Sequence, residues 1–214
     1  MNQAGNNMLE RLFLRYPELA RCERDIHIVC DEVIACYRSG GKVLICGNGG
    51  SAADADHIVG ELMKGFLLKR PVTGPAREAL RGMYPGDGES LADRLQGALP
   101  AIALTAHSAI MTAYANDVSP DMVFAQQVFG YGKNGDILLG ISTSGNSLNV
   151  VNAVKVARAM GLTTAGLTGC DGGALKPLCD RAICVPAEST PDIQELHLPV
   201  YHAICAAVEN ELFG

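Results

Sequence analysis

The chain has 214 residues, 48% hydrophobic and 19% charged, a size and balance that let one large domain bury about 70% of its unfolded surface without covalent staples. Lys and Arg number 17 against 23 Asp and Glu, a net charge of −6, which excludes a general electrostatic pull toward nucleic acid or acidic membranes. The 8 cysteines form no Cys-x-x-Cys pair and no apolar run reaches a membrane span, so the expectation is a cytoplasmic protein with reduced thiols and neither nucleic-acid nor membrane partners.

In chain order, residues 1–40 read as N-terminal helices, with Met8, Leu12, Leu14 and Leu19 and then Ile26, Val29, Val33 and Ile34 at helical spacing over 8–20 and 22–37. An apolar strand from Val43 to Cys46 runs into Gly47-Asn48-Gly49-Gly50-Ser51 and a helix extending to about Leu67. The strand-then-helix pattern recurs at 101–115, 136–160 and 162–178, and a short strand at 182–185 precedes a final helix from about Asp192 to Leu212. Strands apolar throughout and separated by helices predict a doubly wound, five-stranded parallel sheet flanked by helices, a flavodoxin-like α/β fold in one domain over 1–214. Residues 73–98, rich in Gly and Pro, interrupt the pattern and read as a surface insertion serving as a lid or a mobile loop.

Three places carry chemistry. The glycine turn at 47–51 brings bare backbone to the start of a helix, where free N–H groups attract anions; a plain tight turn would read the same way. Ser142-Thr143-Ser144-Gly145-Asn146-Ser147 sets four hydroxyls between a strand and a helix, more than the single hydroxyl a helix cap uses, and favours a bound phosphate. His57 and Glu61, at i and i+4, share one helical face, and the last helix offers Gln194, Glu195, His197 and His202 as partners. By spacing alone these are a metal or acid/base cluster or an exposed hydrogen-bonded couple, and Pro199 argues against a regular helix there.

Taken together, these residues resemble the sugar isomerase (SIS) domain and, within it, the phosphoheptose isomerases. The likeness runs through Gly47-Asn48-Gly49-Gly50-Ser51, His57 with Glu61, Asn116-Asp117, the 142–147 serine loop, Leu167-Thr168-Gly169-Cys170-Asp171-Gly172-Gly173, and Gln194 with His202. It implies an aldose–ketose isomerase acting between sedoheptulose 7-phosphate and D-glycero-D-manno-heptose 7-phosphate through an enediolate. It implies a homotetramer with active sites between subunits. By the same resemblance, His57, Glu61, Gln194 and His202 hold zinc, and Glu61 and His202 are the acid/base pair. Asn48, Gly49, Gly50, Ser51, Ser142, Thr143, Ser144 and Ser147 surround the phosphorylated sugar, with Asn116, Asp117 and Gln194 facing it.

Three departures stand out: Asp192 where the family often has arginine, Gly65 beside Lys64 where it has another arginine, and the 73–98 insertion after Arg70-Pro71. A non-catalytic relative in the family binds the replication initiator protein, but it has lost acid/base residues at the positions of Glu61 and His202, which are intact here. Isomerases of other sugar phosphates usually lack the Gln194/His202 element at this spacing.

Overall fold

The computed structural model describes residues 1–214. Five strands, β1 (Val43–Gly47), β2 (Ala101–Ala103), β3 (Ile137–Ser142), β4 (Thr163–Thr168) and β5 (Arg181–Cys184), pair in parallel in the order β2-β1-β3-β4-β5. The strands fall where the apolar runs predict them, and the order is flavodoxin-like. The chain reverses its direction of winding between β1 and β3, which places a ligand crevice beyond the carboxyl ends of those two strands. Both the glycine turn and the serine loop leave from there.

Alternation along the strands divides the core. Val43, Ile45, Ile137 and Ile141 pack on one face of the sheet, with α2 (Glu23–Arg38), α3 (Gly50–Met63) and α10 (Thr190–Phe213). Leu44, Cys46 and Leu138 pack on the other, under α7 (Val123–Tyr131) and α8 (Leu148–Ala159). All 8 cysteines are free thiols, and no helix is long and apolar enough to cross a membrane.

Element boundaries depart from the sequence reading in four places. The first helix, α1, spans Gln3–Arg15 rather than 8–20, because Asn2 accepts the Gly5 N–H at 2.8 Å to start it, and Pro17 begins a 3-10 turn that ends it. Helix α3 stops at Met63 rather than near Leu67, because the Glu209 carboxylate takes the N–H groups of Phe66, Leu67 and Leu68 at 2.7, 2.6 and 3.0 Å. The insertion is a pair of helices, α4 (Gly74–Met83) and α5 (Gly88–Arg94), joined by ion pairs from Arg77 to Glu89 and Asp93 and from Arg81 to Glu89. Helix α10 runs unbroken through Pro199. The carbonyl that loses its helical donor there belongs to Glu195, an exposed residue on the wall of an open groove where water can replace it.

Two further helices complete the chain: α6 (Ser108–Asp117) after β2, and the short α9 (Leu175–Leu178) after β4. The junction between α3 and α10 is closed by a fully buried ion pair, Arg70 Nε donating to Glu209 Oε1 at 2.7 Å. Arg70 also donates to the carbonyls of Leu62 (2.8 Å) and Glu61 (3.3 Å), and its guanidinium lies 4.7 Å from the Phe213 ring. Burial would raise the Glu209 pKa, but the N–H groups of Phe66 and Leu67 and the Arg70 guanidinium outweigh it and hold the carboxyl below its ordinary range. A depressed pKa in the folded state contributes stability above the unfolded value, and that contribution is lost as pH falls through the folded one. Glu209→Gln, which leaves the Arg70 charge buried and unpaired, should cost about 3–5 kcal/mol of unfolding free energy in urea titrations. Arg77→Ala in the insertion should leave the midpoint within error of the parent.

Candidate active site

Helices α3 and α10 lie side by side, and this contact assembles one half of the site. The i, i+4 spacing on α3 brings Glu61 Oε1 to 3.2 Å from His57 Nε2, and the next turn brings Lys64 Nζ to 3.1 Å from Glu61 Oε2. Helix α10 supplies His202, whose Nε2 is 3.5 Å from His57 Nε2 with the rings edge to face. Phe66 packs on the far side of His202, with ring centroids 5.4 Å apart. Burial, followed by the neighbouring His57, lowers the His202 pKa, so its imidazole is neutral around pH 7. Glu61 is mostly covered, whereas His57 is 43% exposed, so the cluster opens toward solvent through the histidine.

The three residues fit zinc in donor type, two imidazoles and a carboxylate being a set that catalytic zinc uses. Two ligands about 2.0–2.1 Å from a tetrahedral ion stand about 3.3–3.4 Å apart, close to the 3.2 and 3.5 Å spans at His57 Nε2. The match holds only pair by pair: no three His, Cys, Asp or Glu side chains stand together as a group that could hold a metal ion. Gln194, the fourth residue of the set, makes no hydrogen bond to the other three. Its amide abuts Gly50 at the head of α3, where any Cβ would collide with it. This close approach gives the second glycine of the Gly-Gly pair a specific use.

The other half of the site is the serine loop. Ser142 Oγ and Ser147 Oγ are 3.0 Å apart, and Ser144 Oγ accepts the Asn146 N–H at 3.2 Å. Ser147 stands at the N-cap of α8 yet makes no side-chain capping bond; Asn149 Oδ1 accepts the Val150 N–H at 3.0 Å, and the N–H groups before it stay free beside the hydroxyls. The loop is rigid for local reasons. Gly145 has φ +66°, a Cβ on it would strike the Gly172 carbonyl, and its own carbonyl accepts the Leu175 N–H at 3.0 Å. Asn146 Oδ1 accepts the Ala174 N–H at 2.9 Å, which ties the loop to the turn after β4.

The remaining residues singled out in the sequence are spread around these halves. Ser51 is buried under the glycine turn, and Gly49 has φ +57° at the N-cap of α3. The Asn48 amide is engaged with that of Asn149 through reciprocal 2.9 Å bonds, which join the glycine turn to the start of α8. Asn116 and Asp117 bond to each other at 2.9 Å on the exposed end of α6, which packs on α7 and the turn before it. Glu195 points into the open groove, and His197 turns into the core, where burial pushes its imidazole down to about 4.

Asp54 and Tyr201 did not stand out in the sequence. Burial raises the Asp54 pKa, against the hydrogen bond from Tyr201. Their signal was present as Asp54 three residues before His57 and Tyr201 directly before His202, but a lone Asp or Tyr on a helix carries no motif.

A family model described as the SIS domain matches residues 17–83 and 73–169. A phosphoheptose isomerase of Clostridium acetobutylicum is 43% identical over 189 residues, spanning 88% of this chain and 83% of that relative. One from Akkermansia muciniphila is 36% identical over 214 residues, the whole of both chains. Among solved structures, a phosphoheptose isomerase from Francisella tularensis aligns with a TM-score of 0.75 at 32% identity, covering 96% of each chain. With the crevice at the β1/β3 switch point and these likenesses along its length, the chain belongs to the SIS-domain family and, within it, to the phosphoheptose isomerases.

Proposed function

We propose that the chain interconverts sedoheptulose 7-phosphate and D-glycero-D-manno-heptose 7-phosphate, with the phosphate in the serine loop and the reacting carbons between α3 and α10. The observation that carries this reading is the cluster of His57, Glu61 and His202 at 3.2 and 3.5 Å; the hydroxyl-lined start of α8 follows β3, the strand paired with the one that leads into α3. Moving a carbonyl between adjacent carbons requires a base that takes a proton from one carbon and returns it to the next, and a second group that moves a proton between the two oxygens.

Glu61 is the carbon base. Its carboxylate accepts from Lys64 at the end of α3 and lies beside His57 Nε2, and the buried Arg70 anchors the Glu61 carbonyl. His202, neutral near pH 7, exchanges the oxygen proton and is kept in place by the Phe66 and Tyr201 rings. His57, Glu61, Gln194 and His202 would hold a zinc ion, which supplies Lewis acidity at the substrate carbonyl when bound. At the far end of the sugar, Ser142, Thr143, Ser144 and Ser147 and the free N–H groups of α8 receive the dianion. Ser51 and the glycine turn form the facing wall.

A homotetramer with sites shared between subunits is part of this proposal. His57 is open to solvent, and an adjoining groove of about 400 Å³, lined by Leu12, Phe66, Leu198 and His202, gives a neighbouring subunit a surface to complete. The free thiols fit a reducing cytoplasmic setting.

Purified protein incubated with sedoheptulose 7-phosphate and followed by NMR, with and without a chelator, should convert it, and chelation should slow the conversion. A non-catalytic tetramer, or an isomerase of a different sugar phosphate, would leave this substrate untouched. Glu61→Gln and His202→Ala should each lower kcat by about 10²–10⁴ while the far-ultraviolet circular dichroism and elution volume stay those of the parent. Ser147→Ala should cost about 1–3 kcal/mol in kcat/KM on the phosphorylated sugar. The same change should have no effect on binding of the dephosphorylated sugar, whereas an equal loss on both would show that the loop does not hold the phosphate.

A further inference from the structure

Behind His57 stands a set of polar groups that the proton transfers do not use. Asp54 lies one turn earlier on α3, and Tyr201 reaches in from α10. The Tyr201 hydroxyl donates to Asp54 Oδ1 at 3.3 Å and stands 3.0 Å from His57 Nδ1. Tyr201 is 3% exposed, and Asp54 Oδ2 is buried without a partner, so the carboxylate has no better donor than the phenol.

A phenol carries one proton and a carboxylate only accepts. With that proton committed to Asp54, the phenol oxygen faces His57 as an acceptor. His57 must then donate from Nδ1, which leaves its lone pair on Nε2. That nitrogen is the one 3.2 Å from Glu61 and 3.5 Å from His202. With the hydrogen on Nε2 instead, His57 would donate to Glu61, weaken it as a base and have no lone pair to offer an electrophile.

We infer that Asp54 and Tyr201 are positioning residues, a carboxylate–phenol relay that locks His57 as its Nδ1–H tautomer and keeps Nε2 open at the centre of the site. The inference rests on the proposed function only in that His57 belongs to the reacting centre. The tautomer itself is a property of the protein without metal or substrate, and it can be read there.

The experiment is a long-range ¹H–¹⁵N correlation on metal-free protein with ¹⁵N-labelled histidine at about pH 8, above the ordinary imidazole range. The His57 signals are assigned by their loss in His57→Asn. The wild type should give a protonated Nδ1 and an unprotonated Nε2. Tyr201→Phe keeps the ring and removes the acceptor, so the hydrogen should move to Nε2. Asp54→Ala releases the phenol proton toward Nδ1 and should give the same reversal with Tyr201 still present, an outcome that loss of packing alone does not produce. Zinc affinity, read by competition with a chromophoric chelator, should fall about 10–100-fold in both variants.

An Nε2–H tautomer in the wild type overturns the relay, as does Nδ1–H retained in both variants. If Tyr201→Phe does not fold, the wild type and Asp54→Ala decide the matter between them. A wild type inactive on the heptulose phosphate but Nδ1–H at His57 would sink the functional reading and leave the relay standing. An active enzyme with Nε2–H would do the reverse.

Discussion

The geometry of the His57–Glu61–His202 cluster depends on one buried contact, Arg70 with Glu209. Both side chains are shut off from solvent, and a charge pair in that setting stabilises only if its remaining hydrogen-bonding capacity is filled. Here it is filled by backbone. Glu209 takes the N–H groups of Phe66, Leu67 and Leu68, and Arg70 takes the carbonyls of Glu61 and Leu62. The pair therefore ends α3, turns the chain away from it and fixes that turn to the last part of α10. Because His57 and Glu61 ride on α3 and His202 on α10, the contact also sets the distance at which these residues face one another. Phe66, one of the clamped residues, is the ring that packs on His202.

Contacts of this kind explain which parts of the structure the sequence discloses. The five strands and the glycine and serine turns can be read directly, since a buried parallel strand is a short apolar run and a turn needing positive φ shows glycine, as at Gly49 and Gly145. The i, i+4 pairing of His57 and Glu61 is equally local. The Arg70–Glu209 pair spans 139 residues, and no periodicity marks it, so the sequence pattern runs past the true end of α3. The insertion shows its Gly and Pro more plainly than the short helices between them. Pro199 suggests a break because sequence alone does not say that water can serve the abandoned Glu195 carbonyl. Asp54 and Tyr201 come together only when α3 and α10 are packed.

A chain with a net charge of −6 has to hold a sugar phosphate without help from its overall field. Acidic side chains even stand near the serine loop, Asp171 and Glu188 lining a shallow cavity of about 310 Å³ with Thr143 and Ser144. On the proposed reading what remains is local and directional: hydroxyls at fixed spacing, the N–H groups at the very start of α8, and the Asn48–Asn149 amide pair that holds the glycine turn against α8. Such a site favours a ligand by matching its hydrogen-bond acceptors rather than its charge alone, and it lets the residues around it stay acidic.

The helical insertion is attached beside the His57–Glu61–His202 cluster but is kept mechanically apart from it. The chain leaves at Pro71 and returns at Gln96, and these two residues form an antiparallel bridge. The Gly97 N–H donates to the Arg70 carbonyl at 2.7 Å, and Gln96 Oε1 accepts the Gly65 N–H at 2.7 Å. The neck is therefore closed by hydrogen bonds to the same segment that Glu209 clamps, while the ion pairs of Arg77 and Arg81 hold α4 and α5 to each other. A closed neck lets the hairpin change in length or sequence without passing strain to Glu61, because the backbone between Glu61 and Arg70 is fixed from the core side. By the same geometry the insertion can bear on the proposed reaction only at the rim, by shaping access beside Gly65 and Lys64, and not by moving His57, Glu61 or His202.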